Sequence, residues 1–231
     1  MPDERNLDST DHRSYSASGV YVTHKYTRIH NTCNGTDYAN LKTLMTRQTT
    51  LDQLKELLKT HSVKHGDFVL TSGKRSNIYV DARLTTLQAQ AMPLIGRAFL
   101  EKMQERGWRP AAIGGPTMGA DPIVMAVARE SLEFDWHVNA FLVRKETKDH
   151  GRLGYIVGLD ETENLDVVIV DDVCTTGGST VLAIERARGA GMNVLGAICL
   201  VDREQGARES IEGEHMCQFD RLFTMKMVVG E

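Results

Sequence analysis

Two carboxylates stand side by side at Asp171 and Asp172, between the β-branched run Val167 to Val170 and a loop of small residues, Thr175-Thr176-Gly177-Gly178-Ser179-Thr180. Residues of those types in that order can bind a small phosphate ester. Glycines let the backbone turn its amides inward, and the first turn of a following helix adds unpaired N–H groups with positive dipole character. The hydroxyls of Thr175, Thr176, Ser179 and Thr180 can donate to the same phosphate oxygens. No lysine lies inside the loop, so it is not a GxxxxGK[ST] triphosphate loop, and no GxGxxG follows a strand. A single monophosphate fits better. Beside it, Asp171 and Asp172 are placed to accept hydrogen bonds from vicinal hydroxyls, which makes a phosphorylated ribose the natural guest. An isolated Asp-Asp or Gly-Gly would read as a solvated turn whose acids cap the next helix. The complete order of strand, acid pair, glycine loop and helix argues for the ligand.

The elements that must hold this loop are legible around it. Val167 to Val170 has the composition of a strand buried on both faces, and Val181, Leu182, Ile184 and Ala187 give the helix that follows. A second glycine-rich loop, Gly114 to Pro122 with Thr117 inside it, ends the short strand Ala111 to Gly114. Asp121 is its expected N-cap and Pro122 its first helical residue. Strand Val138 to Val143 leads into the basic segment Arg144-Lys145-Glu146-Thr147-Lys148-Asp149-His150-Gly151, which by itself would be a solvated loop. Strand Val194 to Val201 ends at Asp202-Arg203-Glu204, where Arg203 offers a planar fork for a carboxylate, or else a weak surface pair with its acidic neighbours. Upstream, Leu51, Leu54, Leu57 and Leu58 share a helix face with Thr50 as expected cap, and Pro93 opens another helix. Between those helices, Phe68 to Leu70 and Ile78 to Val80 flank the polar turn Thr71 to Asn77 in hairpin fashion. Phe219 to Val229 is the expected last strand. Strands alternating with helices over short connections predict an α/β domain with a mostly parallel central sheet flanked by helices and sites at the strand C-termini.

Composition narrows the partners. A formal net charge of −4 speaks against binding nucleic acid through a general basic field. No run approaches the length of a membrane span, and the N-terminus has no apolar signal core, so a cytoplasmic location with no membrane partner is expected. The four cysteines, at 33, 174, 199 and 217, form no CxxC pair and no metal-ligand spacing with the histidines, which predicts free thiols. Residues 1–44 are polar without an apolar period and are expected to be a disordered extension, with the domain over 45–231.

Val167 to Thr180 closely resembles the signature of type I phosphoribosyltransferases, which bind 5-phosphoribosyl diphosphate (PRPP). Three further segments sharpen the resemblance to orotate phosphoribosyltransferases: Ser72-Gly73-Lys74 with Tyr79, Asp81 and Arg83; Gly114 to Pro122; and the RKxxKxHG pattern from Arg144 to Gly151. The resemblance implies the type I fold over about residues 47–226, with a small N-terminal hood, and transfer of ribose 5-phosphate from PRPP to orotate. It implies catalytic roles for Lys148, His150, Asp171 and Asp172, and PRPP or diphosphate contacts for Arg144, Lys145, Thr117, Thr175, Thr176, Gly177, Gly178, Ser179 and Thr180. Orotate would meet Arg203, Lys74 and Thr175. It further implies Mg²⁺ held mainly through PRPP and water, and a homodimer with shared active sites. Three positions depart from the pattern of some members: Thr71, Gly119 and Val157. A phosphoribosyltransferase for another nucleobase, or a PRPP-binding regulator on the same fold, are the alternative readings.

Overall fold

Runs of β-branched residues build the centre of the molecule. The structure, a computed structural model, describes residues 47–69, 75–147 and 154–230. The extension expected over 1–44, Thr71 and Lys74 at the hairpin tip, and Lys148 and His150 of the basic segment lie outside the described residues. Six strands form one sheet: β3 (Ala112–Pro116), β4 (Asn139–Val143), β5 (Ile156–Val157), β6 (Asp166–Cys174), β7 (Asn193–Asp202) and β8 (Phe219–Thr224). Their spatial order is β5-β4-β3-β6-β7-β8. All neighbours run parallel except β5, which turns back antiparallel on β4.

Alternation along β6 and β7 divides the core into two layers, because successive side chains of a strand point to opposite faces. Val168, Val170, Ile198 and Leu200 face the layer of helix α1 (47–57), α3 (Met92–Glu105) and α4 (Asp121–Ser131), where Leu54, Ile95, Phe99, Ile123 and Val127 pack. Val167, Ile169, Ala197 and Cys199 face α5 (Gly178–Gly189) through Val181, Ile184 and Ala187. The central strands are therefore apolar on both sides, as the run at 167–170 requires. Cys174, Cys199 and Cys217 are buried free thiols that fill space in the second layer.

A separate antiparallel pair, β1 (Val63–Val69) and β2 (Arg75–Val80), makes the hood. Its base is tied down by buried polar groups. The Ser62 and Thr85 hydroxyls lie 2.7 Å apart, and Thr85 also reaches the Leu57 carbonyl at 3.2 Å. The Asp81 N–H donates to the Ser62 carbonyl at 3.1 Å, so the chain leaving β2 returns to the turn that enters β1. That crossing carries residues 79–83 to the C-terminal ends of β3 and β6, with Arg83 opening the one-turn helix α2 (Arg83–Thr86).

Four expectations change. Thr50 lies inside α1 and is buried, because that helix already includes residue 47. Ala120, not Asp121, precedes α4; Asp121 is its first residue and makes no capping bond, while Pro122 sits in the first turn as expected. The last strand stops at Thr224, whose hydroxyl accepts from the Met227 N–H at 3.2 Å and starts α6 (Met225–Val229). Strand β6 does not stop before the acid pair. Register with β7 continues through Asp171 opposite Cys199 and Cys174 opposite Asp202, so ladder bonds carry the strand to its last residue. Among the described residues, no helix is long and apolar enough to cross a membrane.

Helix α5 is attached to the sheet by a narrow apolar face in which Ile184 is fully buried. Ile184→Ala is expected to cost about 2–5 kcal/mol of unfolding free energy, from lost burial plus the cavity left behind. Urea unfolding followed by far-UV circular dichroism measures it.

Candidate active site

The chain leaves β3 toward β4 through α4, and leaves β6 toward β7 through α5, although β3 and β6 are neighbours. The two connections therefore diverge, and a crevice opens beyond the strand ends where ligands bind in open α/β sheets. A cavity of about 490 Å³ occupies it. Its walls are Pro116 to Gly119 after β3, Asp171 to Val173 and Ser179 from β6 and α5, Tyr79 to Arg83 from the hood, and Lys145 after β4. Four separate segments of the sequence thus meet at one place.

Asp171 forms the deepest part of that wall. It is buried, and its carboxylate accepts from the hydroxyls of Ser179 at 2.8 Å and Thr180 at 2.9 Å, and from the Asp172 N–H at 3.0 Å. Burial pushes its carboxyl up to about 7, with the adjacent Asp172 charge adding to the effect and the two hydroxyls opposing it. Asp172 is partly open to the cavity and accepts from the Val173 N–H at 2.8 Å. Burial raises it as well, while the nearby Arg83 charge pulls it down. Arg83 itself grips Asp81 with both arms of its fork, at 2.8 and 3.0 Å, which holds the Asp81 carboxyl below its ordinary value and raises the guanidinium. The row Asp81, Arg83, Asp172 alternates in charge across the mouth of the crevice.

Gly119 is one of the departures from the resembled pattern, and here it has a structural reason. A Cβ at 119 would lie 2.4 Å from Oδ1 of Asp172, so a side chain there requires the carboxylate or the loop to move. The Thr117–Met118 peptide in the same loop is cis, and the Thr117 N–H is held by the Val143 carbonyl at 3.1 Å. At the other loop, Gly177 has φ +82°, and a Cβ would press on Ala207 and Ile211 at 3.3 Å. Only glycine adopts that turn without strain. Val157, a further departure, is partly buried in β5 opposite Leu142, at the sheet edge and not on the cavity.

Of the residues singled out in the sequence, the cavity brings together Thr117, Lys145, Asp171, Asp172 and Ser179. Thr175, Thr176, Gly177 and Gly178 form the turn into α5 just beyond it, and Thr180 is fully buried with its hydroxyl committed to Asp171. Arg144 stands at the end of β4 outside the lining. Arg203 follows β7, where its N–H donates to the Cys174 carbonyl at 2.9 Å. It is not in the surface pair that its neighbours suggest, since Arg221 takes Asp202 at 2.9 Å and Glu204 at 3.5 Å. Instead the Arg203 Nε is buried with no hydrogen-bond partner among the described residues. Such an atom carries a desolvation cost that a ligand acceptor would remove.

Tyr79, Asp81 and Arg83 are cavity residues that the sequence placed in the hood and not in the site. Their D-x-R spacing at the end of a strand was the available signal, since a carboxylate and a guanidinium two apart can close a forked pair. Among the described residues, no three His, Cys, Asp or Glu side chains cluster at metal-ligand spacing.

Residues 84–227 match the phosphoribosyl transferase domain family. The chain is 43% identical over 172 residues to an orotate phosphoribosyltransferase of Synechocystis, an alignment spanning 74% of this chain and 85% of the relative. Among solved structures it is similar to the Mycobacterium tuberculosis orotate phosphoribosyltransferase in complex with Fe(III) dicitrate, with TM-score 0.69, 35% identity and coverage of 78% and 98% of the two chains. The same enzyme in complex with 5-phospho-α-D-ribosyl 1-diphosphate matches with TM-score 0.65 and 32% identity over 78% and 98% of the chains.

The raised Asp171 carboxyl has a thermodynamic signature. A carboxyl whose folded pKa lies above its unfolded value contributes stability that is complete below the unfolded pKa, 3.8, and lost as pH rises through about 7. Asp171→Asn cannot ionise, so between pH 5 and pH 8 the wild type should lose stability relative to the variant. Paired urea unfolding curves at the two pH values measure this; parallel stabilities would refute it.

Proposed function

The chain belongs to the orotate phosphoribosyltransferases, and from that premise we propose that it transfers ribose 5-phosphate from PRPP to N1 of orotate, releasing diphosphate and orotidine 5′-monophosphate in pyrimidine nucleotide (UMP) synthesis. The observation that carries the reading is the crevice beyond β3 and β6, where a carboxylate pair, Ser179 from the first turn of α5, and a cationic residue from a third segment line one cavity, with the glycine turn just beyond it. In this reading the amides of 177–180 hold the 5-phosphate, and the half-open Asp172 accepts from ribose hydroxyls while Asp171 orients the start of α5 beneath it. Breaking the bond from C1 to diphosphate places positive charge on the ribose ring and negative charge on the leaving group, so catalysis is mostly charge placement. The carboxylates lie on the side of the ring; Lys145, with Arg144, Lys148 and His150, takes the diphosphate side, and Thr117 meets it from the β3 loop. Arg203, assisted by Lys74 and Thr175, pairs its free Nε and its fork with the carboxylate of orotate, which separates that base from uncharged ones.

Mg²⁺ fits this chemistry. Two adjacent carboxyls, both raised by burial and facing one cavity, are a place where a cation relieves repulsion. Asp172, the half-open acid of the pair, would meet an ion carried mainly by PRPP and water, and when bound the ion would supply charge neutralisation for the diphosphate. The protein is proposed to work in the cytoplasm as a homodimer with shared sites. A patch of exposed apolar side chains supports the second copy: Leu87, Met118 and Met125 are 67%, 69% and 56% exposed and line one groove beside the cavity with Pro122.

Mixing the protein with PRPP, Mg²⁺ and orotate should consume orotate absorbance, and uracil or adenine should not substitute. Arg203→Leu should raise the orotate KM about ten- to a hundredfold, the loss expected for hydrogen bonds to a charged group, and leave the PRPP KM near normal. Binding of PRPP without any orotate turnover would sink the reading. Light scattering should separately give about twice the chain mass.

A further inference from the structure

The basic segment leaves the main sheet at Arg144 and returns to it at Tyr155. The two ends of this stem are joined by the Arg144 N–H, which donates to the Tyr155 carbonyl at 2.9 Å. Arg186 reaches the stem from α5. Its guanidinium donates to the Arg144 carbonyl with one arm and to the Lys145 carbonyl at 2.7 Å with the other, and it lies over the Tyr155 ring at 4.1 Å from the centroid. One planar group thus touches the outgoing end of the stem, its returning end, and the helix that begins at the glycine loop.

The choice of partners is informative. A surface arginine is ordinarily engaged by carboxylates, and this one spends its fork on two neutral carbonyls of consecutive residues. That arrangement sets the path of the backbone at Lys145, a residue of the cavity wall. A lysine could not replace it, because a single ammonium has neither the paired donors of the fork nor the flat face that stacks on Tyr155.

We propose that Arg186 is a positioning residue for the diphosphate end of the site: it locks the stem of the basic segment to α5, so that the 5-phosphate loop and Lys145 keep a fixed separation. The proposal rests on the reading of this cavity as a PRPP site. It makes Arg186 act through Lys145 without touching substrate.

Steady-state kinetics of the full chain test it, with PRPP and orotate varied in turn for wild type, Arg186→Gln, Arg186→Lys, Lys145→Ala and the Arg186→Gln/Lys145→Ala double variant, each checked by thermal unfolding. Arg186→Gln should raise the PRPP KM about tenfold, the effect of misplacing one charge-assisted contact, with the orotate KM within about twofold of wild type. Arg186→Lys should fail to restore it. The double variant should be no worse than Lys145→Ala alone, since residues that act as a unit are not additive. A normal PRPP KM in Arg186→Gln, full rescue by lysine, or additive losses in the double variant would each overturn the proposal. Should Arg186→Gln not fold, Tyr155→Leu removes the stack alone and should raise the PRPP KM by a smaller factor; an unchanged value overturns the idea equally. A wild type that consumes no orotate would remove the assigned reaction instead, and calorimetric PRPP affinities of the same variants then decide on Arg186.

Discussion

A carboxylate buried at the end of a strand has to be satisfied, and much of this site follows from how Asp171 is satisfied. Leaving such a group unpaired costs several times what an ordinary hydrogen bond contributes. Its acceptors are met by an N–H of the next residue and by two hydroxyls from the first turn of α5. The strand end and the helix start are thereby bound to each other across the glycine turn. The turn cannot wander, because both of its flanks meet at the same carboxyl group.

That coupling explains why the site is stiff on one side. Strand β6 keeps its ladder with β7 through the acid pair, α5 is pressed on the sheet by Ile184 and Ala187, and Thr180 is sealed beneath. The opposite walls are of another kind. They come from the hood and the loop after β3, tied back by hydrogen bonds such as Asp81 N–H to the Ser62 carbonyl and Thr117 N–H to the Val143 carbonyl, and from the stem after β4, which Arg186 holds to α5. A rigid wall of β6 and α5, faced by walls attached through a few polar contacts, is the expected division of labour where a ligand must enter and leave.

The sequence made much of the rigid half readable. The Val167 to Val170 run, the glycines and the alternation of strands with helices are local signals, and each produced the element it suggests. What was illegible depends on contacts distant along the chain. Nothing near Asp202 or Glu204 indicates that Arg221 will occupy both, so whether Arg203 was engaged could be learned only from the fold. Tyr79 and Arg83 became cavity residues because the Ser62 and Thr85 bonds bring the hood's exit to the C-terminal ends of β3 and β6, a pairing between segments with no shared pattern. The expected caps failed for a simpler reason. Thr50 and Asp121 are good capping types, but packing carried one helix past its cap and began the other a residue early. The hydroxyls of Ser179 and Thr180 looked like phosphate donors from composition, yet burial of Asp171 claims them first.

The closeness of position 119 to Asp172 has a consequence for how such a chain can change over generations. With 2.4 Å between a notional Cβ and a carboxylate oxygen, the two positions constrain each other. A lineage carrying this backbone cannot acquire a larger residue at 119 without a shift of the Asp172 carboxylate or of the β3 loop. What is tolerated at 119 therefore depends on where the carboxylate at 172 lies, although the two residues belong to different segments of the sequence.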